Sequence, residues 1–362
     1  MSTITTASQQ WASRPDDERF TSLHDLSDHF HRIRELSASK VVTTRQISVE
    51  PVEGERNGLQ VVGPNGNGYA PTHWSFGQLA SLAKAPAGYL RTLPGPLAAD
   101  NINYGLKFAR ESEEVGVLLQ RGDEPQLRAA TGPSYGRIWN SEVSDALVSR
   151  FGDGVTGDWK VPGEFGHDVA VTKRNTTIYG SDRDMFVFLA DEHNKIEVPD
   201  RRDGQPGAMS RGFFVWNSEV GATSIGASFF LFDYVCMNRI VWGARDYKEI
   251  RLRHSLTAPD RWLEEVTPVL IEYSKSSAQP VIDAVAAAKA AKLDNVDEWL
   301  AKRYSAKQAV TLQAVHGREE NRPIETLWDV STALTAQARD LTYQDARVAQ
   351  EREAGKVLAL AA

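Results

Sequence analysis

Arg211–Gly243, RGFFVWNSEVGATSIGASFFLFDYVCMNRIVWG, is the stretch whose reading decides the fold. Its apolar residues are mostly aromatic or β-branched, so it reads as buried strand and not as helix. Asn217, Ser218, Glu219, Gly221 and Gly226 interrupt the pattern. A buried sheet tolerates such groups only with a turn, a bulge or a local hydrogen-bond network. The expectation is that Asn217, Ser218 and Glu219 form a structural polar cluster serving backbone groups at a turn or bulge. The rival is that Glu219 lines a functional pocket.

Outward from this stretch, strands are expected at Val169–Val171, Thr176–Tyr179, Met185–Ala190, Phe213–Trp216, Ser228–Val235, Ile240–Trp242 and Tyr247–Leu252. Toward the N-terminus, Leu23, Leu26, Phe30, Ile33 and Leu36 recur at helical spacing within Phe20–Leu36, with Ser22 or Thr21 as cap. Lys40–Val49 alternates like a strand, with Gly58–Val62 as its partner and Gly63–Pro71 as a turn-rich loop. Ser75 reads as a helix cap, Ala87–Leu93 and Leu97–Ala109 as helical segments, and Ser141–Phe151 as a helix capped by Asn140 or Ser141. Val115–Gln120 and Gln126–Ala130 read as a hairpin turning at Gly122 and Asp123. From Asp260 the chain is alanine-rich and helical in pattern, with Pro259, Pro280, Asp294 and Pro323 at boundaries, which predicts three to five helices. The predicted class is α+β: an antiparallel-rich central sheet with flanking helices and a helical C-terminal tail. The expected organisation is a disordered leader over 1–18, an α+β domain over 19–256 and a helical region over 257–362.

Of the 362 residues, 41% are hydrophobic and 25% charged, the balance of a globular chain with an ordinary core. No apolar run approaches the roughly 20 residues that span a bilayer, so no membrane partner is expected. The N-terminal stretch lacks the basic region and apolar core of a signal peptide. A lone cysteine, Cys236, reads as a small buried hydrophobe in a reducing compartment. A cytoplasmic location follows as the expectation. The net charge of −7 counts against nucleic-acid binding through bulk charge, but not against a local basic groove.

Catalytic signatures are absent. There is no phosphate loop, nucleophile elbow, H-E-x-x-H or kinase set, and Gly63, Gly66 and Gly68 do not form a dinucleotide fingerprint. His24, Asp28 and His31 share one helix face, read as solvated and not as a metal site. Asp182 and Asp184 flank Arg183 in a turn that Asp182 is expected to cap. Asp233 followed by Asp246 and Lys248 matches a short metal-nuclease pattern that also arises by chance. No cofactor or metal is expected. Tyr247–His254, YKEIRLRH, is more suggestive. Alternation puts Tyr247, Glu249, Arg251 and Arg253 on one face, and Lys248, Ile250, Leu252 and His254 on the other. With Ile250 and Leu252 inward, Tyr247, Arg251 and Arg253 form an exposed basic and aromatic strip of the kind that holds a nucleic-acid backbone. Arg245, Lys173 and Arg174 are further candidates for that surface.

Several separated blocks also resemble the DUF932 family of phage- and plasmid-borne proteins: Tyr179–Leu189 (YGSDRDMFVFL), Asn217–Ser224 (NSEVGATS) and Phe230–Asn238 (FLFDYVCMN). Leu79–Asp100, containing APAGYLR at Ala85–Arg91, and Tyr135–Asn140 (YGRIWN) resemble it too. The resemblance covers roughly residues 20–260. It implies a mobile-element setting and no catalytic residues, because the family's function is unknown. Two classes of function follow as expectations. One is a non-catalytic, oligomeric DNA-associated protein that binds or anneals single-stranded DNA in recombination or replication. The other is an adaptor or inhibitor acting on a host or phage protein. A metal-dependent nuclease using Asp233, Asp246 and Lys248 is the third reading.

Overall fold

The computed structural model describes residues 14–63, 66–161, 170–202, 205–233, 238–240, 250–341 and 344–361. In chain order, β1 (Arg19–Phe20) leads into α1 (Leu23–Leu36), β2 (Ser37–Thr43), β3 (Ser48–Pro51), β4 (Leu59–Val62) and β5 (Gly68–Pro71). Then come α2 (His73–Leu82), α3 (Ala87–Leu90), α4 (Gly95–Leu106), β6 (Glu114–Gln120), β7 (Gln126–Thr131) and α5 (Asn140–Phe151). The next strands are β8 (Trp159–Lys160), β9 (Ile178–Gly180), β10 (Met185–Asp191), β11 (Ile196–Arg202), β12 (Gln205–Asn217), β13 (Ile225–Asp233), β14 (Asn238–Ile240) and β15 (Ile250–Leu252). The chain ends with α6 (Ala258–Glu265), α7 (Thr267–Lys275), α8 (Gln279–Ala290), α9 (Val296–Arg303), α10 (Ala306–Glu320), α11 (Leu327–Arg339) and α12 (Gln344–Ala359). The class is α+β, with an antiparallel-rich large sheet, a second mixed sheet and a C-terminal helical stretch.

The large sheet is built on the β12–β13 hairpin, whose two strands cover buried strands expected within Arg211–Gly243. Its order is β1-β9-β10-β12-β13-β14, with β8, β11 and β15 pairing β10, β12 and β13. Alternation along each strand separates two layers. Met185, Val187, Leu189, Phe213, Val215, Ala227 and Phe229 face a core shared with Leu23, Leu26 and Phe30 of α1 and Leu147 of α5. Phe186, Phe188, Phe214, Trp216 and Phe230 form an aromatic layer with Tyr179. The glycines that interrupt the apolar pattern stand opposite these rings. Gly226 pairs with Trp216 and Gly212 with Phe230. A Cβ at Gly226 would overlap the Trp216 indole, and one at Gly212 the Phe230 ring. Each ring covers the bare backbone of its partner, which fixes the register of the hairpin.

The small sheet runs β2-β6-β7-β5-β4-β3, antiparallel except for β5 against β7. It packs with α2 and α4 around Val49, Val61, Tyr69, Leu79, Ile102, Val115 and Leu127. Three expectations change here. Lys40–Val49 is two strands, because the turn Thr44–Gln46, held by a capping box between Thr43 and Gln46, breaks it. The end of the Gly63–Pro71 loop is β5, paired on both sides. The cap of α2 is Thr72, whose side chain accepts the Ser75 amide, while Ser75 itself is buried.

The N-terminal edge also departs from expectation. Residues 14–18 of the expected leader are folded: Asp16–Glu18 form a 3-10 turn, and buried Arg14 pairs with Glu18 at 2.7 Å and with Asp184. α1 starts at Leu23, with Ser22 as cap, because Phe20 is in the sheet opposite Ile178. Residues 170–171 are not strand, and Val169 lies outside the described residues. β11 was not expected, since Pro199, Asp200, Arg201 and Arg202 mask its pairing with β12. The tail has seven helices among the described residues, beyond the three to five expected. The extra boundaries include the side-chain cap at Ser305 and the Val266 junction, while the cap at Asn295 falls beside the boundary expected at Asp294. Packing continues across residue 256. Trp262, Val266 and Leu270 join the core of α1 and α5. Farther along, Leu300, Leu312, Trp328, Leu334 and Val357 bury Ile196, Val198, Met209 and Leu231 of the large sheet.

Candidate functional site

The polar cluster sits in the turn after β12 and joins the two sheets. Asn217, Ser218 and Glu219 are fully buried. The Asn217 amide donates to the Ile138 carbonyl (2.9 Å) and to Asn140 Oδ1 (2.8 Å). The Ser218 hydroxyl donates to the Arg183 carbonyl and accepts from the Val220 and Ala222 amides. The turn closes through Gly221, whose φ of +83° suits a residue without Cβ. Val220 presents its carbonyl to Trp74 Nε1 and Gln78 Nε2 on α2. Backbone satisfaction at a turn is therefore what these residues provide.

Glu219 does more than satisfy one group. One carboxylate oxygen accepts the Asn140 amide at the start of α5 (2.8 Å). The other stands 2.8 Å from the Arg128 guanidinium on β7. Both side chains are 1% exposed. α5 has no capping side chain of its own, since its N-cap is Trp139. A carboxylate from another element fills that role and meets the positive end of the helix. This overturns the expected cap by Asn140 or Ser141. Arg137 donates to the Glu219 carbonyl, and burial holds its pKa below the usual range. The Asp182–Asp184 turn is closed by Ser181, whose hydroxyl accepts the Arg183 and Asp184 amides, so Asp182 is not its cap.

A cleft opens beside this joint, between the 132–135 loop, the 221–224 turn and the chain leaving β15. Its volume is about 370 Å³, and Ser134, Tyr135, Thr223, Ser224, Arg253 and His254 line it. Gly136 brings the loop close: its amide donates to the His254 carbonyl and its carbonyl accepts from His254 Nδ1 at 2.9 Å. A Cβ at Gly136 would overlap the Ser255 carbonyl. Tyr135 stacks on the His254 ring at 4.7 Å, and its hydroxyl donates to the Ser218 carbonyl. Because a carbonyl only accepts, Nδ1 carries the proton, leaving Nε2 with a lone pair. Burial lowers the His254 pKa to about 4, so the ring is neutral near pH 7. Among the described residues, His254 Nε2, Thr223 Oγ1 and Ser224 Oγ have no hydrogen-bond partner.

The predicted strip is partly in place. Arg251 and Arg253 are exposed on one side of β15 and its extension, with Leu252 and His254 buried on the other. The Arg251 guanidinium lies 5.9 Å from the centre of the Trp216 ring, and Arg251 pairs with Gly226 across the sheet. Arg253 reaches the cleft, and no acidic side chain lines it among the described residues. Tyr247 and Arg245 lie outside the described residues, as do Asp246, Lys248 and Cys236 and the side chain of Asp233. Lys173 and Arg174 are elsewhere. Lys173 donates to the Asp16 carbonyl beside β1, five strand steps from β15, or roughly 24 Å at about 4.8 Å per step. They do not extend the strip.

Sequence reasoning missed Tyr135, Thr223, Ser224 and His254 as one site. Its signal was two turn-rich segments, TGPSYG at Thr131–Gly136 and GATS at Gly221–Ser224, which the fold brings together. Of the helical histidines, His31 pairs with Asp145 of α5 at 2.9 Å. Among the described residues no group of three or more His, Cys, Asp or Glu is placed to hold a metal ion. No helix among them is long and apolar enough to cross a membrane. No protein-family model, curated protein or solved structure matches the chain.

Proposed function

We propose that the protein binds single-stranded DNA, without cleaving it, along the exposed side of β15. The observation that supports this reading is the pair Arg251 and Arg253, both exposed on one side of β15 and its extension, with Arg253 lining a cleft that has no acidic side chain among its described lining residues. Two residues apart on a strand, their Cα atoms are separated by about 6.6–6.8 Å. They hold phosphates by charge, and binding of this kind needs no catalytic group. The chain is acidic overall, so a continuous track requires neighbouring protomers, and homo-oligomerisation is part of the proposal. The resemblance to the DUF932 family adds a mobile-element setting in which strand annealing would serve recombination or replication, with the protein acting in the cytoplasm.

The test is anisotropy of a labelled single-stranded oligonucleotide across a salt series, with mass measured in parallel. Salt-sensitive binding by an oligomer is expected. Arg251→Ala/Arg253→Ala should flatten the log–log salt slope by about 1.4, at roughly 0.7 per phosphate contact. Absence of binding at low salt would end this reading. One observation favours the adaptor reading instead: Leu97, Tyr104 and Phe108 are all more than half exposed on one face of α4 and its C-terminal end.

A further inference from the structure

We infer that the cleft between the 132–135 loop and the 221–224 turn holds one nucleotide unit, a phosphoryl group beside a hydroxyl or amino donor. This deepens the strand-binding reading, on which it rests through Arg253, by naming what enters the cleft.

Three features of the cleft call for a ligand of mixed character. Arg253 is a fixed positive charge lining it, and a guanidinium matches a phosphoryl group in shape and charge. Thr223 Oγ1 and Ser224 Oγ have no hydrogen-bond partner among the described residues and can donate to anionic oxygens. His254 makes the opposite demand. It is 7% exposed and its Nδ1 is committed to the Gly136 carbonyl. Its unpartnered Nε2 accepts and does not donate. The anionic oxygens of a phosphoryl group bring no proton for that nitrogen. A nucleotide brings both groups, since a sugar hydroxyl or a base amino group lies within one unit of its phosphate. Leaving three buried polar atoms unpaired in one place is costly, and a bound ligand removes that cost. The volume of about 370 Å³ falls at the small end of the range for small-molecule sites, roughly 300–1,000 Å³.

The same chemistry occurs in a free mononucleotide and at the phosphorylated end of a strand. Calorimetric titration of the full chain should compare thymidine 5′-monophosphate, inorganic phosphate and thymidine. Parallel anisotropy should compare a 5′-phosphorylated oligonucleotide with its unphosphorylated form. The nucleotide is expected to bind at least tenfold tighter than phosphate or thymidine alone. Thr223→Val/Ser224→Ala and His254→Asn should each weaken it at least tenfold while leaving internal strand binding within threefold. If the 5′-phosphate confers the same advantage on the oligonucleotide, the unit is a strand end; if only the mononucleotide responds, it is a free nucleotide.

Nucleotide affinity equal to that of phosphate would overturn the inference. So would nucleotide affinity unchanged in both variants; Thr223→Val/Ser224→Ala, altering turn residues, guards against a folding defect in His254→Asn. Nucleotide binding without oligonucleotide binding would sink the strand reading and leave the pocket standing. Oligonucleotide binding without nucleotide binding would do the reverse.

Discussion

Substituting Glu219→Gln should lower the melting temperature more than any other single uncharging substitution at the site. The amide oxygen of Gln can still accept the Asn140 amide. It cannot neutralise Arg128, which is 1% exposed and 2.8 Å from the carboxylate. Removing one partner of a buried ion pair strands the other charge, at about 3–5 kcal/mol. The remaining partners of Arg128, the Ser37 hydroxyl and the Asp182 carbonyl at 3.3 Å each, carry no net charge. If the 362 residues unfold together, about 2.1 cal/mol/K per residue gives an unfolding entropy of roughly 0.76 kcal/mol/K. The expected fall in Tm is then roughly 4–7 °C. Differential scanning calorimetry of the wild type, Glu219→Gln, Arg128→Met and the double variant checks this. The double variant should recover most of the loss, because replacing both charges leaves nothing stranded. A Glu219→Gln protein that melts like the wild type would refute the reasoning. If it also lost ligand binding, Glu219 would instead belong to the binding site.

Two further predictions concern the hairpin and the cleft. Gly226→Ala places a Cβ against the Trp216 indole, so it should destabilise by about 1–3 kcal/mol through overpacking. Trp216→Leu in the same chain should relieve part of that, and an unshifted Tm for Gly226→Ala would show the register argument wrong. His254 has a folded pKa of about 4 against an ordinary 6.5. Between these values the unfolded chain binds more protons, so its contribution is complete above 6.5 and is lost as pH falls through about 4, roughly 3 kcal/mol in all. Chemical denaturation from pH 7.5 to 4 should be less pH-dependent in His254→Gln than in the wild type. His29, also lowered by burial, acts equally in both proteins and so cancels from the comparison. Equal slopes would mean that His254 is not buried as neutral imidazole.

Much of the fold was legible because local periodicity carries it. The aromatic and β-branched runs at Phe213–Trp216 and Ser228–Val235 located the two strands of the central hairpin. The 3.6-residue spacing of Leu23, Leu26 and Phe30 gave α1, and the alanine-rich pattern after Asp260 gave a helical tail. Errors fell where a local signal was weak or served another element. Pro199 hid β11, the Thr43–Gln46 capping box split one expected strand, and the cap at Ser305 has no counterpart among the expected boundaries. The exposed side of Arg251 and Arg253 was readable from alternation alone. Their separation from Lys173 and Arg174 was not, because strand order is not a property of any one segment.

By itself, then, the sequence determined most of the longer strands and helices, the apolar face of several of them, and that something polar is built in between the two strands of Arg211–Gly243. These are consequences of periods of two and 3.6 residues and of turn chemistry, which act over a few residues. Only the tertiary structure decided what the polar turn is for. Glu219 meets Arg128 and Asn140 across 91 and 79 positions of chain, and Tyr135 meets His254 across 119. Such contacts depend on how two sheets dock, and no local pattern encodes that docking. The cleft that Arg253 shares with Thr223 and Ser224 exists for the same reason.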